Sequence, residues 1–151
     1  MEKDDLNDYN IDGFNSGYSK KILVIDDILY VVKSISRILT DEGYYVLSAL
    51  TGKEALEILK KYKPDLITID QKLPDMSGIK LLEEIKKLDF ETFPKIIFIS
   101  AIYDKDQIEA ILKLFVSNYI LKPFKKSKLL EIVNDLIGEK ANINIKEENK
   151  D

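Results

Sequence analysis

The sequence predicts an α/β fold in which a five-stranded parallel sheet lies between two layers of helices. Five short segments rich in β-branched residues are apolar along nearly their whole length, as strands buried on both faces should be. Between them lie five segments whose apolar residues recur every three or four positions, the spacing of amphipathic helices. Strands and helices that alternate in this way are typical of parallel sheets with helices on both faces.

The first half of the chain contains two strand–helix pairs. Residues 21–26 (KILVID) form the first predicted strand and residues 28–42 the first helix. Gly43 follows this helix, where a left-handed cap is expected. Residues 44–48 (YYVLS) and 53–62 form the second strand and the second helix. The apolar face of the first helix consists of Val31, Ile35, Ile38 and Leu39.

The second half of the chain contains three more pairs. Pro64 and Pro94 precede the third and fourth strands and stop the segments before them, because the residue before a proline is disfavoured in helical geometry. Ser77 is a suitable N-cap for the third helix. The remaining predicted strands and helices span, in chain order, residues 65–70, 77–88, 95–100, 104–115, 119–121 and 125–137.

The connections between these elements limit the topology. Right-handed crossovers leave few arrangements for five βα units, and the common one is the flavodoxin-like order 2-1-3-4-5 in three layers. In this order the first and third strands lie side by side at the centre of the sheet. The binding site is then expected beyond the carboxyl ends of the strands, where the strand order reverses.

The composition excludes several classes of protein. The chain has 151 residues, about one ordinary domain, and contains neither Cys nor His. Disulfides, thiolate zinc sites, Ser-His-Asp triads and phospho-histidine carriage are therefore excluded. The net charge of −4 favours neither nucleic acid nor an anionic membrane as a partner. With no run of about 20 apolar residues and an acidic N-terminus unlike a signal peptide, we expect a soluble cytoplasmic protein.

Both ends of the chain are predicted to be polar tails outside the domain. Residues 1–20 carry a net charge of −3 and residues 139–151 a net charge of −1, whereas residues 21–138 balance 18 acids against 18 bases. Segments this polar are expected to be disordered or loosely attached. Residues Asp8–Gly13 match the start of a calcium loop, but Ser19 stands where its terminal Glu belongs, so a polar turn is expected there.

Polar side chains follow four of the predicted strands. Asp26 and Asp27 end the first strand, Asp70 ends the third, Ser100 ends the fourth and Lys122 follows the fifth. Three carboxylates at one edge would repel one another unless a cation lay among them, and oxygen ligands without Cys or His point to Mg²⁺. The lysine and the hydroxyl suit phosphate oxygens. Together these groups predict a phosphoryl-transfer site whose nucleophile is a carboxylate.

These residues and their spacing closely resemble the receiver domain of response regulators, the phosphoacceptor half of two-component systems. The resemblance covers about residues 21–138. Each motif alone is weak evidence, but the ordered set is highly specific. The matching motifs are ILVIDD at residues 22–27, D-x-x-x-P-x-x-x-G at Asp70, Pro74 and Gly78, Ser100-Ala101, and Lys122-Pro123-Phe124.

The resemblance implies a role for each site residue. Asp70 is expected to be the phosphorylated residue, with Ser100 and Lys122 in contact with the phosphoryl group. Tyr119 matches the family's switch aromatic, whose rotamer follows the movement of Ser100. A cis peptide bond is expected between Lys122 and Pro123, as is usual in the family. The ligands expected for Mg²⁺, or Mn²⁺, are Asp26, Asp27, Asp70 and the backbone carbonyl of Lys72.

Two further positions are expected to tune the lifetime of the aspartyl phosphate. Lys72 and Ile102 stand two residues after Asp70 and Ser100, respectively. In receivers these side chains face the phosphoryl group and affect the access of water to it. For Lys72, a solvated loop lysine without any such role is an equally open interpretation.

The resemblance also implies the partners and the output. A histidine kinase or a histidine phosphotransferase is expected to donate the phosphoryl group, and no enzymatic activity is expected beyond self-phosphorylation and autodephosphorylation. About 13 residues follow the last predicted helix, so we expect a single-domain response regulator without an output domain. Its signal should leave through the surface made by the fourth helix, the fifth strand and the fifth helix, towards a downstream protein or a second copy of the chain.

One departure and two rival functions remain open at this point. Phe115 and Val116 stand where receivers usually have Gly-Ala. The preceding helix is apolar on more than one face, which predicts either an interface or deeper burial of the helix.

The rival functions are a receiver-like adaptor that is never phosphorylated and a small Mg²⁺-dependent aspartyl phosphatase. The phosphatase would need an acid at the position of Lys72. The fold also allows FMN binding, but the sequence lacks a phosphate-cradling loop after the first strand.

Overall fold

The computed structural model describes residues 20–138 of the chain. The predicted N-terminal tail, apart from Lys20, and the predicted C-terminal tail lie outside the described residues. The candidate calcium loop at Asp8–Gly13 lies outside them as well.

The centre of the molecule is a parallel sheet of five strands in the order β2-β1-β3-β4-β5. This order confirms the predicted topology, with the first and third strands adjacent. The pairing aligns the carboxyl ends, since Ile25 lies opposite both Ala49 and Ile69. The strands are β1 (Lys21–Ile25), β2 (Tyr45–Ala49), β3 (Leu66–Ile69), β4 (Lys95–Ser100) and β5 (Asn118–Leu121).

Five helices cover the two faces of the sheet, which confirms the three-layer prediction. The helices are α1 (Leu29–Asp41), α2 (Gly52–Lys61), α3 (Gly78–Lys86), α4 (Lys105–Leu112) and α5 (Lys126–Ile137). Buried side chains of α1 and α5 form one apolar core with the sheet. Buried side chains of α2, α3 and α4 form the second core on the opposite face.

The alternation of side chains along each strand explains why the strands are apolar throughout. In β1, Ile22 and Val24 face the core shared with α1 and α5, whereas Leu23 and Ile25 face the other core. All four side chains are 0–1% exposed. Burial of each such side chain contributes about 1.5–3 kcal/mol, so both faces stabilise the sheet and polar residues are left to the strand ends.

Short polar side chains cap the start of three of the five helices. Ser77 accepts a hydrogen bond from the N–H of Lys80 at 3.1 Å, which confirms it as the N-cap of α3. Thr51 accepts from Glu54 in α2 and Asp104 accepts from Gln107 in α4. Each cap satisfies one amide that has no partner within the helix.

The helix α4 is shorter than predicted, because it ends at Leu112 rather than at Phe115. The N–H of Leu114 bonds to the carbonyl of Ile111 at 2.9 Å in a closing turn, and Phe115 then adopts a left-handed φ of 63°. Apolar residues continue at helical spacing through this turn, so the sequence pattern predicted a helix that extends beyond its observed end. Leu112 and Phe115 stay 43% and 83% exposed, whereas Val116 is buried in the core.

The exchange Phe115→Gly should yield a more stable protein than Phe115→Ala, by about 1 kcal/mol. A left-handed φ costs roughly 1–2 kcal/mol for a residue with a Cβ and little for glycine, and the greater chain entropy of unfolded glycine offsets part of this gain. Both variants lose the contact of the Lys86 ammonium with the Phe115 ring, 5.0 Å from its centroid. Urea denaturation measures the difference, and equal stabilities would contradict the conformational argument.

A left-handed turn also ends the first helical segment, as predicted. Gly43 has a φ of 104°, a conformation that glycine adopts at little cost. Its N–H bonds to the carbonyl of Thr40 at 3.0 Å. Among residues 20–138, no helix is long and apolar enough to cross a membrane.

Candidate functional site

The site residues lie directly beyond the carboxyl ends of neighbouring strands. Backbone hydrogen bonds that continue the ladder fix their positions. The N–H of Asp70 bonds to the carbonyl of Ile25 at 3.1 Å, and the N–H of Lys122 bonds to the carbonyl of Ser100 at 2.9 Å. The sheet therefore carries residues from β1, β3, β4 and β5 to one edge, as the strand order predicts.

Three carboxylates form an acidic cluster at this edge. Each of Asp26, Asp27 and Asp70 offers an oxygen, and these oxygens all lie within 4.8 Å of one another. Asp26 and Asp70 are only 2% and 6% exposed, whereas Asp27 is open to solvent. Oxygen ligands this close, with one side open to water, fit a hard divalent cation that keeps part of its hydration shell.

Lys122 lies against the two buried carboxylates. Its ammonium donates to Asp26 and also to Asp70, the latter at 3.0 Å. Burial opposes the charge of this lysine, but the two carboxylates outweigh that effect and raise its pKa above the ordinary value. With three carboxylates and one ammonium the cluster carries a formal charge of −2, which equals the charge that a divalent cation would neutralise.

The electrostatic environment of Asp70 differs from that of an exposed carboxylate. Burial raises the pKa of Asp70 above its ordinary value, and the hydrogen bond from Lys122 only partly offsets this effect. The N–H of Lys72 lies 3.4 Å from one of its oxygens, at the long limit of a hydrogen bond. A desolvated carboxylate is a stronger nucleophile than a fully hydrated one, since fewer water contacts must be broken.

The peptide of Ile102 connects Ser100 with Tyr119. The hydroxyl of Ser100 accepts the N–H of Ile102 at 3.3 Å, and the hydroxyl of Tyr119 donates to the carbonyl of Ile102 at 2.6 Å. The Tyr119 ring stacks on Phe98 with centroids 6.4 Å apart, and burial raises the pKa of its phenol. A movement of Ser100 would therefore reach Tyr119 through a single residue.

The structure brings together the residues that the sequence selected and adds contacts that it did not reveal. Asp26, Asp27, Asp70 and Lys122 meet in one cluster, and the Lys122–Pro123 bond is cis, as expected. The side chain of Lys72 is exposed, so only its backbone lies against Asp70. Asp75 was overlooked, because its contacts are with a helix about 20 residues earlier in the sequence.

Comparison with known proteins identifies related sequences and structures. Residues 22–134 match the family model described as "Response regulator receiver domain". Chemotaxis protein CheY of Treponema pallidum is 38% identical over 125 residues, covering 81% of this chain and 85% of that protein. Sporulation initiation phosphotransferase F of Bacillus subtilis is 30% identical over 124 residues, covering 82% and 98% of the two chains.

A solved structure shows the same fold. A CheY-like response regulator receiver domain protein from Methanospirillum hungatei superimposes with a TM-score of 0.72 at 33% sequence identity. The match covers 85% of this chain and 98% of that one.

Proposed function

The chain belongs to the response regulator receiver domain family, and from this membership we propose that Asp70 accepts a phosphoryl group from the phospho-histidine of a partner protein. Receiver domains are signalling proteins that interact with histidine kinases and with downstream targets. The observation that supports the proposal most strongly is the buried Asp70 carboxylate, which shares the Lys122 ammonium with the buried carboxylate of Asp26. A buried ion-pair network adds little net stability, and buried carboxylates with a close charged partner are typical of functional sites.

The proposed transfer is a direct displacement at phosphorus. A carboxylate oxygen of Asp70 forms the new P–O bond while the N–P bond of the donor breaks, and the imidazole leaves with the electron pair of that bond. These 151 residues contain no His, so the proposed donor lies outside them. Lys122 is close enough to follow the charge from the carboxylate to the phosphoryl oxygens, because its ammonium already donates to Asp70.

The acidic cluster supports a role for a divalent cation in this transfer. Receiver domains bind Mg²⁺ through an acidic pocket, and here Asp26, Asp27, Asp70 and the carbonyl of Lys72 would hold it. The ion would offset negative charge on the transferring oxygens. The protein's own groups then keep the nucleophile oriented, with Lys122 on one side and the backbone of Lys72 on the other.

Phosphorylation is proposed to change the packing at one side of the molecule. The phosphoryl group adds about −1.5 to −2 charges, which would draw Ser100 and Lys122 towards it. Because the Ile102 peptide bonds to both Ser100 and Tyr119, the ring of Tyr119 would respond. The result is a population shift at the surface formed by α4, β5 and α5, on which a downstream protein or a second copy of the chain would bind.

The same pocket supports a proposal about the lifetime of the phosphoryl group. The backbone of Lys72 lies beside Asp70 and that of Ile102 beside Ser100, so both side chains begin at the rim of the pocket. We expect them to control how easily water reaches the phosphorus atom. The names of the relatives include both chemotaxis proteins and a sporulation phosphotransferase, and the chemistry proposed here is common to either pathway.

The proposal is tested by intact-mass measurement after incubation with Mg²⁺ and phosphoramidate, whose N–P bond resembles that of phospho-histidine. The wild-type chain should gain the mass of one phosphoryl group, and Asp70→Asn should gain none. The decay of the label in wild type and in Lys72→Asn reports the effect of position 72 on the lifetime.

Asp135→Asn is the matched control, because this carboxylate is exposed on α5 and should leave labelling unchanged. A wild-type chain that takes up no phosphoryl group would overturn the proposed function. Label that survives in Asp70→Asn would overturn the choice of residue.

A further inference from the structure

Asp75 connects the loop after Asp70 to the N-terminus of α2. One carboxylate oxygen accepts the N–H of Gly52 at 2.9 Å and the other accepts the N–H of Lys53 at 2.8 Å. These are the first two amides of α2, which have no acceptor within the helix. The carboxylate therefore replaces partners that solvent would otherwise have to supply.

The charge of Asp75 strengthens this connection. A negative group is favoured at the positive end of a helix. Partial burial opposes ionisation, but the N–H groups of Gly52 and Lys53 outweigh it and hold the pKa of Asp75 below its ordinary value. The group is thus a charged acceptor at neutral pH, and charge-assisted hydrogen bonds are stronger than neutral ones.

Hydrogen bonds join the two ends of this loop at its base. The N–H of Gly78 bonds to the carbonyl of Gln71 at 2.9 Å, and the Gln71 side chain accepts the N–H of Ile79 at 3.0 Å. Lys72 and Ser77 form an antiparallel bridge across the loop. The base of the loop, made of residues 71–72 and 77–79, is therefore held by hydrogen bonds within the loop. The tip, at Asp75, is held by hydrogen bonds to α2.

Close packing leaves the base little freedom to shift. A Cβ on Gly78 would lie 2.7 Å from the backbone oxygen of Asp70 and 2.9 Å from the Phe98 ring. At the tip, the Met76 side chain fills the space beside Gly52, where a Cβ would lie 2.6 Å from its sulfur. Asp75 and Met76 therefore join the tip of the loop to the start of α2.

We propose that Asp75 is a positioning residue of the phosphorylation site, which by anchoring the loop to α2 holds the Lys72 backbone against Asp70. In this arrangement the N–H of Lys72 lies 3.4 Å from the Asp70 carboxylate. The carbonyl of Lys72 is the proposed backbone ligand of the cation. Release of the tip would leave the Lys72 backbone held only from the base of the loop, and the small displacements that this permits would weaken cation binding without removing any ligand. The inference rests on the proposed function, because it assigns Asp75 to the same site.

The experiment compares Asp75→Ala with Thr51→Ala. Thr51 caps the same helix through Glu54, and its hydrogen bonds lie within α2. Both variants therefore weaken the start of α2, and only Asp75→Ala removes hydrogen bonds to the loop. Calorimetric titration with Mg²⁺ measures the dissociation constant, and urea denaturation measures stability. Both variants should denature at lower urea, and only Asp75→Ala should bind Mg²⁺ more weakly, by about tenfold, the lower end of the effect of outer-shell changes.

Asp75→Asn keeps one acceptor oxygen and should fall between wild type and Asp75→Ala in Mg²⁺ affinity. Unchanged affinity in Asp75→Ala, or an equal loss in Thr51→Ala, would overturn the inference, and so would a wild-type chain that binds no Mg²⁺. If wild type binds Mg²⁺ but takes up no phosphoryl group, the proposed function fails while the affinities still decide the role of Asp75.

Discussion

Replacement of Lys122 by Met should lower the free energy of unfolding by about 2 kcal/mol at neutral pH in metal-free buffer. Methionine approximates the aliphatic part of the lysine side chain, so the loss comes mainly from the ammonium that donates to Asp26 and Asp70. Removal of one member of a buried ion pair typically costs 3–5 kcal/mol, and we expect less here because the Lys122 side chain is 16% exposed. Thermal or urea denaturation of the two proteins measures the difference.

The pH dependence of this loss follows from the direction of the pKa shifts. Burial raises the pKa of Asp70 already in wild type, and the variant loses the Lys122 hydrogen bond that partly offsets this effect, so the folded variant binds a proton there at a higher pH than folded wild type does. As the pH falls through that raised pKa, the folded variant gains relative stability and the deficit should shrink. In wild type the raised pKa of Lys122 contributes stability that is complete below its unfolded pKa and is lost as the pH rises through the folded one.

Two further variants separate this effect from a general loss of charge. Lys128→Met removes an exposed lysine of α5 and should change stability by less than about 0.5 kcal/mol. Lys122→Met combined with Asp70→Asn should recover part of the loss, because one of the unpaired carboxylates is gone. A Lys122→Met protein as stable as wild type would contradict the argument.

Addition of Mg²⁺ should stabilise the wild-type chain by about 2.7 kcal/mol at a concentration 100 times its dissociation constant. The gain arises because the cation binds the acidic cluster of the folded state, whose three oxygens lie within 4.8 Å, and finds no such cluster in the unfolded chain. Asp27→Asn should weaken Mg²⁺ binding by about tenfold or more, since affinity follows the number of charged ligands. Denaturation at increasing Mg²⁺ concentrations measures both effects.

The choice of Asp27 for this test follows from its exposure. Asp27 is the exposed member of the cluster, so its exchange should change the metal-free stability little. Asp135→Asn, which alters an exposed carboxylate outside the cluster, should bind Mg²⁺ as wild type does. Stabilisation by Mg²⁺ that is equal in wild type and Asp27→Asn would show that the ion acts elsewhere.

The sheet and the acidic cluster were predictable because both follow from short-range rules. Strands buried on both faces leave polar side chains only at their ends, and parallel strands place their carboxyl ends along one edge. The strand order alone therefore predicts that four side chains lie close together, namely Asp26, Asp27, Asp70 and Lys122. The structure confirms the strand order.

Other features depend on contacts that no local pattern encodes. The end of α4 was wrong by three residues, because Phe115 takes a left-handed φ that its residue type does not suggest. The contact of Asp75 with α2 joins segments far apart in sequence. The hydrogen bond from Tyr119 to Ile102 depends on a loop carbonyl whose direction is fixed only in the folded chain.

The number of side chains that α4 buries determines how much free energy is needed to move this helix. Of its residues only Ile111 is fully buried, whereas α5 buries Leu129, Ile132, Val133 and Ile137. Detaching one such side chain costs about 1.5–3 kcal/mol, within the few kcal/mol that separate two conformers of a switching protein. Under the proposed function, a phosphoryl group on Asp70 would supply a comparable amount through one to three charge-assisted hydrogen bonds. We therefore expect α4, rather than α5, to be the helix that changes its packing most readily when the region around Ser100 and Tyr119 rearranges.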